Sequence, residues 1–239
     1  MLFTRALLRR LALLGLLFCA GCAVEEQSPK AVDPPNFLFV ITDDQRFDML
    51  GVIHPVLQTP NMDRLAQAGI RFEHAYVTTP ICAASRASIL TGMVERSHGY
   101  TFGTPPFDSS LVGTSYPTLL RQAGYRTGFV GKFGVNTHPG AKDALFDTFV
   151  PLSPAPYMKE QADGTQRHLT DITAERAIDF LRSATETGPF ALTVSFNAPH
   201  ADDGDPRQFI WPEALDTLYS GFDIPSPPLS EPAFYDALP

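Results

Sequence analysis

The apolar positions of this chain fall into short blocks whose period changes along the sequence. Asn36 to Thr42 (Asn-Phe-Leu-Phe-Val-Ile-Thr) is almost continuously apolar after Pro34-Pro35 and stops at Asp43-Asp44, the pattern of a strand covered on both faces. Thr59-Pro60 supplies a cap and a proline at the first helical position. Met62, Leu65 and Ala66 then share one helical face before Gly69, which predicts a helix with those residues inward. Ile70 to Val77 reads as strand or extended chain. Ser85 to Thr91 predicts a short helix closed by Gly92, and Tyr116 to Gln122 another closed at Ala123-Gly124, followed by a strand over Tyr125 to Val130. A longer helix starts at Thr170 or Asp171, with Ile172, Ala177, Ile178 and Leu181 inward. Gly188-Pro189 breaks it before a last apolar strand, Phe190 to Phe196. Strands alternating with helices predict an α/β sandwich: a central mixed, largely parallel sheet flanked by helices, with no internal repeat.

In such a sheet, ligands bind beyond the carboxyl ends of the strands, because the loops there converge. Three polar signals fall at predicted strand ends: Asp43-Asp44, Gly131-Lys132 and Pro199-His200.

The first residues follow another logic. Arg5, Arg9 and Arg10 precede an apolar run, Leu11 to Ala20, that is too short for an ordinary membrane span, which reads as a secretory signal. The run ends in Phe18-Cys19-Ala20-Gly21-Cys22, similar to the site at which bacterial lipoproteins are cut and acylated, with Cys19 where Leu is usual. Residues 1–21 therefore read as a signal peptide of lipoprotein type. Residues 22–35 form a polar, Pro-containing tether, and residues 36–239 the folded domain. The expected location is the periplasm or cell envelope, with membrane attachment only through a lipid on Cys22, or else simple secretion.

Composition changes this picture in two places. With 44% hydrophobic residues, including 18 Phe and 7 Tyr, the 239-residue chain has enough apolar surface for one large core. Its net charge of -8 excludes general affinity for nucleic acid or anionic membrane, but a metal and a few placed cations can still bind an anionic ester. Export would remove Cys19 and acylation would consume Cys22, leaving Cys82 as a lone thiol with no internal disulfide partner. A lone cysteine is ordinarily a small buried core residue; the neighbours of Cys82 point elsewhere.

Cys82-Ala83-Ala84-Ser85-Arg86, continuing to Leu90-Thr91-Gly92, resembles the sulfatase signature, in which Cys-x-Pro/Ala-Ser-Arg opens a helix and Leu-Thr-Gly closes it. Pro35-Asn36-Phe37 through Asp43-Asp44-Gln45-Arg46, Thr59-Pro60-Asn61-Met62-Asp63-Arg64-Leu65, Gly124-Tyr125-Arg126-Thr127, Gly131-Lys132 and Pro199-His200 extend the resemblance over roughly Asn36 to His200. It implies a formylglycine-dependent sulfatase with the alkaline phosphatase-like fold. Cys82 would be oxidised by a formylglycine-generating or radical sulfatase-maturing enzyme to 3-oxoalanine. One hydroxyl of its hydrate attacks sulfur, and the other then expels sulfate. The family pattern implies Ca2+, with Mg2+ less suited, held by Asp43, Asp44 and the modified Cys82. Catalysis would fall to Cys82, Arg86, Lys132 and His200, acting on a sulfated small molecule or sulfated carbohydrate. A nucleophile at a helix N-terminus also meets unsatisfied N–H groups that favour anionic oxygens.

The departures are specific. Ala84 stands where many relatives have Pro. Gly131-Lys132-Phe133-Gly134 lacks the histidine of the family's Gly-Lys-Trp-His, with His138 a candidate replacement, and His98 reads as structural or substrate-adjacent. After His200 there is no Asp-Asn pair to close a metal site and no Lys. Asp202-Asp203-Gly204-Asp205 sits in a variable loop and is not assigned to the metal. The expectation is an incomplete N-terminal portion of the family domain, with Ile224-Pro225-Ser226-Pro227-Pro228 as a connection onward. Two other readings stay open: a phosphonate or phosphate monoester hydrolase on the same scaffold, and a non-catalytic degenerate member.

Overall fold

The computed structural model describes residues 33–184, 188–224, 226–227 and 230–237. The chain divides into Met1–Pro34 and Pro35–Pro239, and every element below belongs to the second unit. The signal peptide, Cys19, Cys22 and nearly all of the tether lie outside the described residues.

Strand β1 (Phe37–Ile41) is followed by helices α1 (Pro60–Ala68), α2 (Cys82–Thr91) and α3 (Glu95–His98), a 3-10 turn (Ser109–Thr114) and α4 (Tyr116–Gln122). Then come β2 (Arg126–Gly131), α5 (Ala141–Leu145), β3 (Thr148–Pro151), the antiparallel pair β4 (Met158–Glu160) and β5 (Gln166–His168), and α6 (Leu169–Ala184). Strand β6 (Phe190–Ser195), a turn at Glu213–Leu215 and α7 (Pro232–Asp236) complete the order. Among the described residues no helix is long and apolar enough to cross a membrane.

The main sheet runs β1-β6-β2-β3 with every neighbouring pair parallel. Side chains alternate across it. Phe129 packs with α2 residues Ala87 and Leu90 and with Phe133 and Phe146, while Val130 packs on the other face with Ala177, Phe180 and Ala184 of α6. Helices thus cover both faces, as the alternation predicted. The approach of α6 is set by Gly128, where a Cβ would come within 2.5 Å of the Phe180 ring. Gly131, at φ 109°, brings β2 so close to β6 that a Cβ would sit 2.0 Å from the Ser195 carbonyl oxygen.

Four details differ from the sequence reading. Among the described residues β1 pairs only with β6 and so stands at the sheet edge, and Phe37, Leu38, Phe39 and Val40 are 43–53% exposed instead of covered. α1 forms between Thr59 and Gly69 but buries no residue among the described residues, Leu65 being 72% exposed and Met62 39%. Ile70 to Val77 forms no strand and joins no ladder among the described residues. In α6 the inward face is Leu169, Thr173, Ala177, Phe180 and Ala184, while Ile178 points outward; the fit of Phe180 onto Gly128 sets the phase. Thr173 tolerates burial by donating to the Leu169 carbonyl at 2.8 Å.

Candidate active site

Register places the site. Ile41, Ser195 and Gly131 are paired across β1, β6 and β2, so these strands end in one row. The ladder runs one residue further: Phe196 N–H donates to Ile41 O (2.8 Å), Lys132 N–H to Ser195 O (2.9 Å) and Leu152 N–H to Gly131 O (2.9 Å). Asp43-Asp44, Lys132 and the His200 turn therefore emerge side by side, and Asp43 N–H donating to Ala198 O at 3.3 Å ties two of them together.

Asp43 is buried, and its Oδ2 is in ion-pair contact with Lys132 Nζ and faces Arg86 Nη2 at 3.4 Å. Arg86, also buried, reaches this point from the second turn of α2. Its Nη1 donates to the Lys132 carbonyl (2.6 Å) and to Ser195 Oγ (2.6 Å), and Ser195 Oγ in turn donates to the same carbonyl at 2.8 Å. Asp43 Oδ2 and Arg86 Nη2 make no directed hydrogen bond, and neither does Asn197 Oδ1. Two cations thus share one buried carboxylate, which leaves local positive charge in an acidic protein.

Asp44 adopts the left-handed conformation, φ 61°, which turns its side chain outward from the carboxylate beside it. Its Oδ2 lies 3.7 Å from His200 Nε2. The other imidazole nitrogen, Nδ1, is 2.6 Å from the Ala201 carbonyl, which can only accept, so Nδ1 carries a proton and Nε2 is the free position.

Cys82 is the first residue of α2, partly accessible, four positions before Arg86 and so on the same helical face. No hydrogen bond or ion pair among the described residues joins it to the carboxylates. Nor do three His, Cys, Asp or Glu side chains gather closely enough there to hold a metal, so Asp43, Asp44 and Cys82 are not drawn together as a set. The physical reason is local: Lys132 occupies Asp43 Oδ2, and the Asp44 backbone directs its carboxylate to solvent.

The remaining histidines separate cleanly. His98 is buried; its Nδ1 accepts from Tyr100 N–H (3.1 Å), so Nε2 donates to Ser88 Oγ (2.9 Å), pinning α3 to α2. Burial lowers its pKa, with Glu95 opposing, so the structural alternative is the one its contacts support. His138 is exposed and its charged neighbour is Asp108, at the start of the 3-10 turn. Gly134 stands at the position of the missing motif histidine, at φ 68°, where a Cβ would come 2.7 Å from Arg86 Cδ. Ala84 is fully buried at the third helical position, where the N–H has no intrahelical acceptor.

Sequence reasoning missed Ser195, Asn197 and Tyr157. Ser195 alone had a usable signal, a hydroxyl closing an apolar strand just before the His200 turn. Tyr157 precedes a hairpin too short to show a period. Its hydroxyl donates to the His200 carbonyl at 2.6 Å.

A sequence model of the sulfatase family matches residues 35–221. The chain is similar to an N-acetylglucosamine-6-O-sulfatase of Bacteroides thetaiotaomicron, 34% identical over 208 residues that cover 81% of this chain and 35% of that protein. It is also similar to an arylsulfatase of Clostridium perfringens, 29% identical over 81% of this chain and 48% of the relative. Among solved structures, one determined in complex with its substrate D-glucosamine-2-N,6-O-disulfate superposes with TM-score 0.67 at 30% identity, over 82% of this chain and 39% of that one. A phosphonate monoester hydrolase of Agrobacterium radiobacter, at 22% identity and TM-score 0.59 over 81% of this chain and 45% of that one, shares the fold. The chain spans about a third to a half of the length of these curated relatives. With the family match extending from the start of β1 past the His200 turn, the chain belongs to the sulfatase family.

Proposed function

We propose that residues 36–239 act as the N-terminal part of a sulfatase catalytic domain, exported behind a signal at residues 1–21 and held by a tether at 22–35. The reaction is hydrolysis of a sulfate ester. The observation that carries this reading is the cluster of Lys132 with the buried Asp43 and Arg86, Arg86 standing four residues into the helix that opens with Cys82. Names of relatives, the N-acetylglucosamine-6-O-sulfatase among them, support a sulfated carbohydrate as substrate. The Drosophila melanogaster relative named an extracellular sulfatase, 31% identical over 73% of this chain, supports export.

Lys132 and Arg86 hold the sulfate oxygens, their charge exceeding that of Asp43 alone. His200 acts at Nε2: after taking a second proton from solvent, the ring gives the Nε2 proton to the leaving oxygen as the ester S–O bond breaks and returns to its Nδ1–H form, while the Nδ1–H bond to Ala201 O keeps it oriented. Asp44 Oδ2 lies on the Nε2 side of the ring, at 3.7 Å. Cys82, converted to formylglycine, supplies a hydroxyl nucleophile through its hydrate. Asp43 and Asp44 offer hard carboxylate oxygens, and Asp43 Oδ2 has no directed hydrogen bond, which fits part of a calcium site; the remaining donors are not among these two residues. Were calcium held there by Asp43 and Asp44, it would supply a Lewis acid that polarises the sulfate oxygens.

The test is the protein coexpressed with a maturing enzyme, mass spectrometry of the Cys82 peptide, and parallel assays on N-acetylglucosamine 6-sulfate and on phosphate and phosphonate esters. Conversion of Cys82 with sulfate release is the expected result. A converted protein that cleaves phosphorus esters and leaves sulfate esters intact overturns the reading.

A further inference from the structure

His200 sits on a turn, and a turn alone does not fix an imidazole. Within the turn, His200 N–H donates to Asn197 O at 2.9 Å and Nδ1 to Ala201 O at 2.6 Å. Asp43 N–H holds Ala198 O (3.3 Å), Asn197 Nδ2 donates to Pro154 O (3.2 Å) and Asp202 N–H to Gln208 O (2.6 Å), and the His200 carbonyl itself is held by one further residue. Tyr157, 2% exposed, donates its hydroxyl to the His200 carbonyl at 2.6 Å and its backbone N–H to Asp202 Oδ2 at 3.2 Å, so it grips the turn at two points.

Tyr157 is itself anchored from behind. Its carbonyl accepts from Leu169 N–H (2.8 Å) at the start of α6, and its ring stacks on His168 with centroids 5.2 Å apart and planes 26° from parallel. His168 is held in turn: Nδ1 accepts from Thr170 N–H (3.3 Å), so Nε2 donates to Ile210 O (3.1 Å). The β4–β5 hairpin closes this base through the Met158–His168 pair. Burial and the nearby Asp43, Asp202 and Asp44 raise the phenol to about 12, outweighing the opposing bond from Asn197, so the hydroxyl remains a donor at neutral pH. Asp202 is buried and also accepts from Gly204 N–H at 3.3 Å. Both of its carboxylate oxygens thus accept from backbone N–H groups.

We infer that Tyr157, with Asp202, is the positioning residue for His200: it transmits the rigidity of the hairpin and α6 to the turn so that Nε2 stays directed at Asp44. The inference rests on the proposed role of His200, but its test does not require turnover. In Tyr157→Phe the ring still stacks on His168 and only the hydroxyl is lost. Amide hydrogen exchange should rise about five- to tenfold at His200 and Asp202, the scale of one lost hydrogen bond, with β6 amides unchanged. Imidazole 15N shifts at fixed pH should move from the single Nδ1–H form of His200 toward a mixture, with His98 as the unaffected control. Asp202→Ala, which cuts the other tie, should loosen the same amides. Where the protein turns over, Tyr157→Phe should lower kcat several-fold with KM little changed. Unchanged exchange and tautomer in both variants overturn the inference, and so does loosening spread evenly through β6, which marks Tyr157 as an ordinary core residue. An inactive wild-type protein with a normal exchange result counts against the proposed function alone.

Discussion

β1 and β6 run side by side in register, Phe37 opposite Ala191 and Ile41 opposite Ser195, and both are apolar runs of similar length. Every residue of β6 is buried, while Phe37 to Val40 keep about half their surface. β6 has a strand on each side and α6 packed beneath it. Among the described residues β1 has one neighbour, and on the sheet face away from α6 it borders a groove of about 420 Å³ lined by Ile89, Tyr116 and Leu120. Nothing in the two pentapeptide or hexapeptide patterns separates them. Burial is a property of strand order, and strand order is decided by residues far away in sequence.

The largest expected effect breaks this comparison most directly. Leu192→Ala in β6, where the side chain is 1% exposed, should cost about 2–5 kcal/mol of unfolding free energy through lost transfer and a residual cavity. Leu38→Ala, one strand over and paired with Leu192 in the ladder but 53% exposed, should stay within about 1 kcal/mol. Urea unfolding of both variants decides it, and equal losses would mean that β1 is covered in solution by something that the described residues do not supply.

A second substitution sharpens the packed side. Gly128→Ala places a Cβ at 2.5 Å from the Phe180 ring, so α6 must shift or the ring must leave its rotamer, at about 1–3 kcal/mol. Phe180→Leu in the same background should recover part of that loss, because a smaller side chain leaves room for the methyl. Absence of any recovery in the double-mutant cycle would mean that the two residues do not set the helix phase.

How much of this could be read from the chain follows the same division. β6, β2, α4 and the helix opening with Cys82 were legible because their periodicity and their end signals agree, and the polar residues at strand ends marked the site through topology. Asp43, Lys132 and Arg86 meet because their strands end in one row and α2 points into it. The phase of α6 was not legible: Ile178 and Phe180 compete for the inward face on hydrophobicity alone, and a glycine fifty residues earlier chooses between them. The exposure of β1 and α1 was hidden for the converse reason, since an apolar face states a need for cover without stating whether it is met. Tyr157 was invisible because its role lies in one backbone contact across the fold.

The smallest effect concerns pH and extends the comparison to charge. β1 contains no titratable side chain, whereas the packed side holds His98 between α2 and α3 with both ring nitrogens engaged. Burial lowers the His98 pKa from its ordinary 6.5, with Glu95 opposing, so on acidification the unfolded chain takes up the proton before the folded one does. Its contribution to stability is therefore complete above about pH 6.5 and falls as the pH drops through that value toward the lowered one. Unfolding midpoints measured from pH 7.5 to 5.5 should decline in the wild type, and the decline should flatten in His98→Gln, whose own cost at pH 7.5 should come out below that of Gly128→Ala. A slope that survives the substitution would move the acid sensitivity to other groups and leave His98 a neutral spacer between two helices.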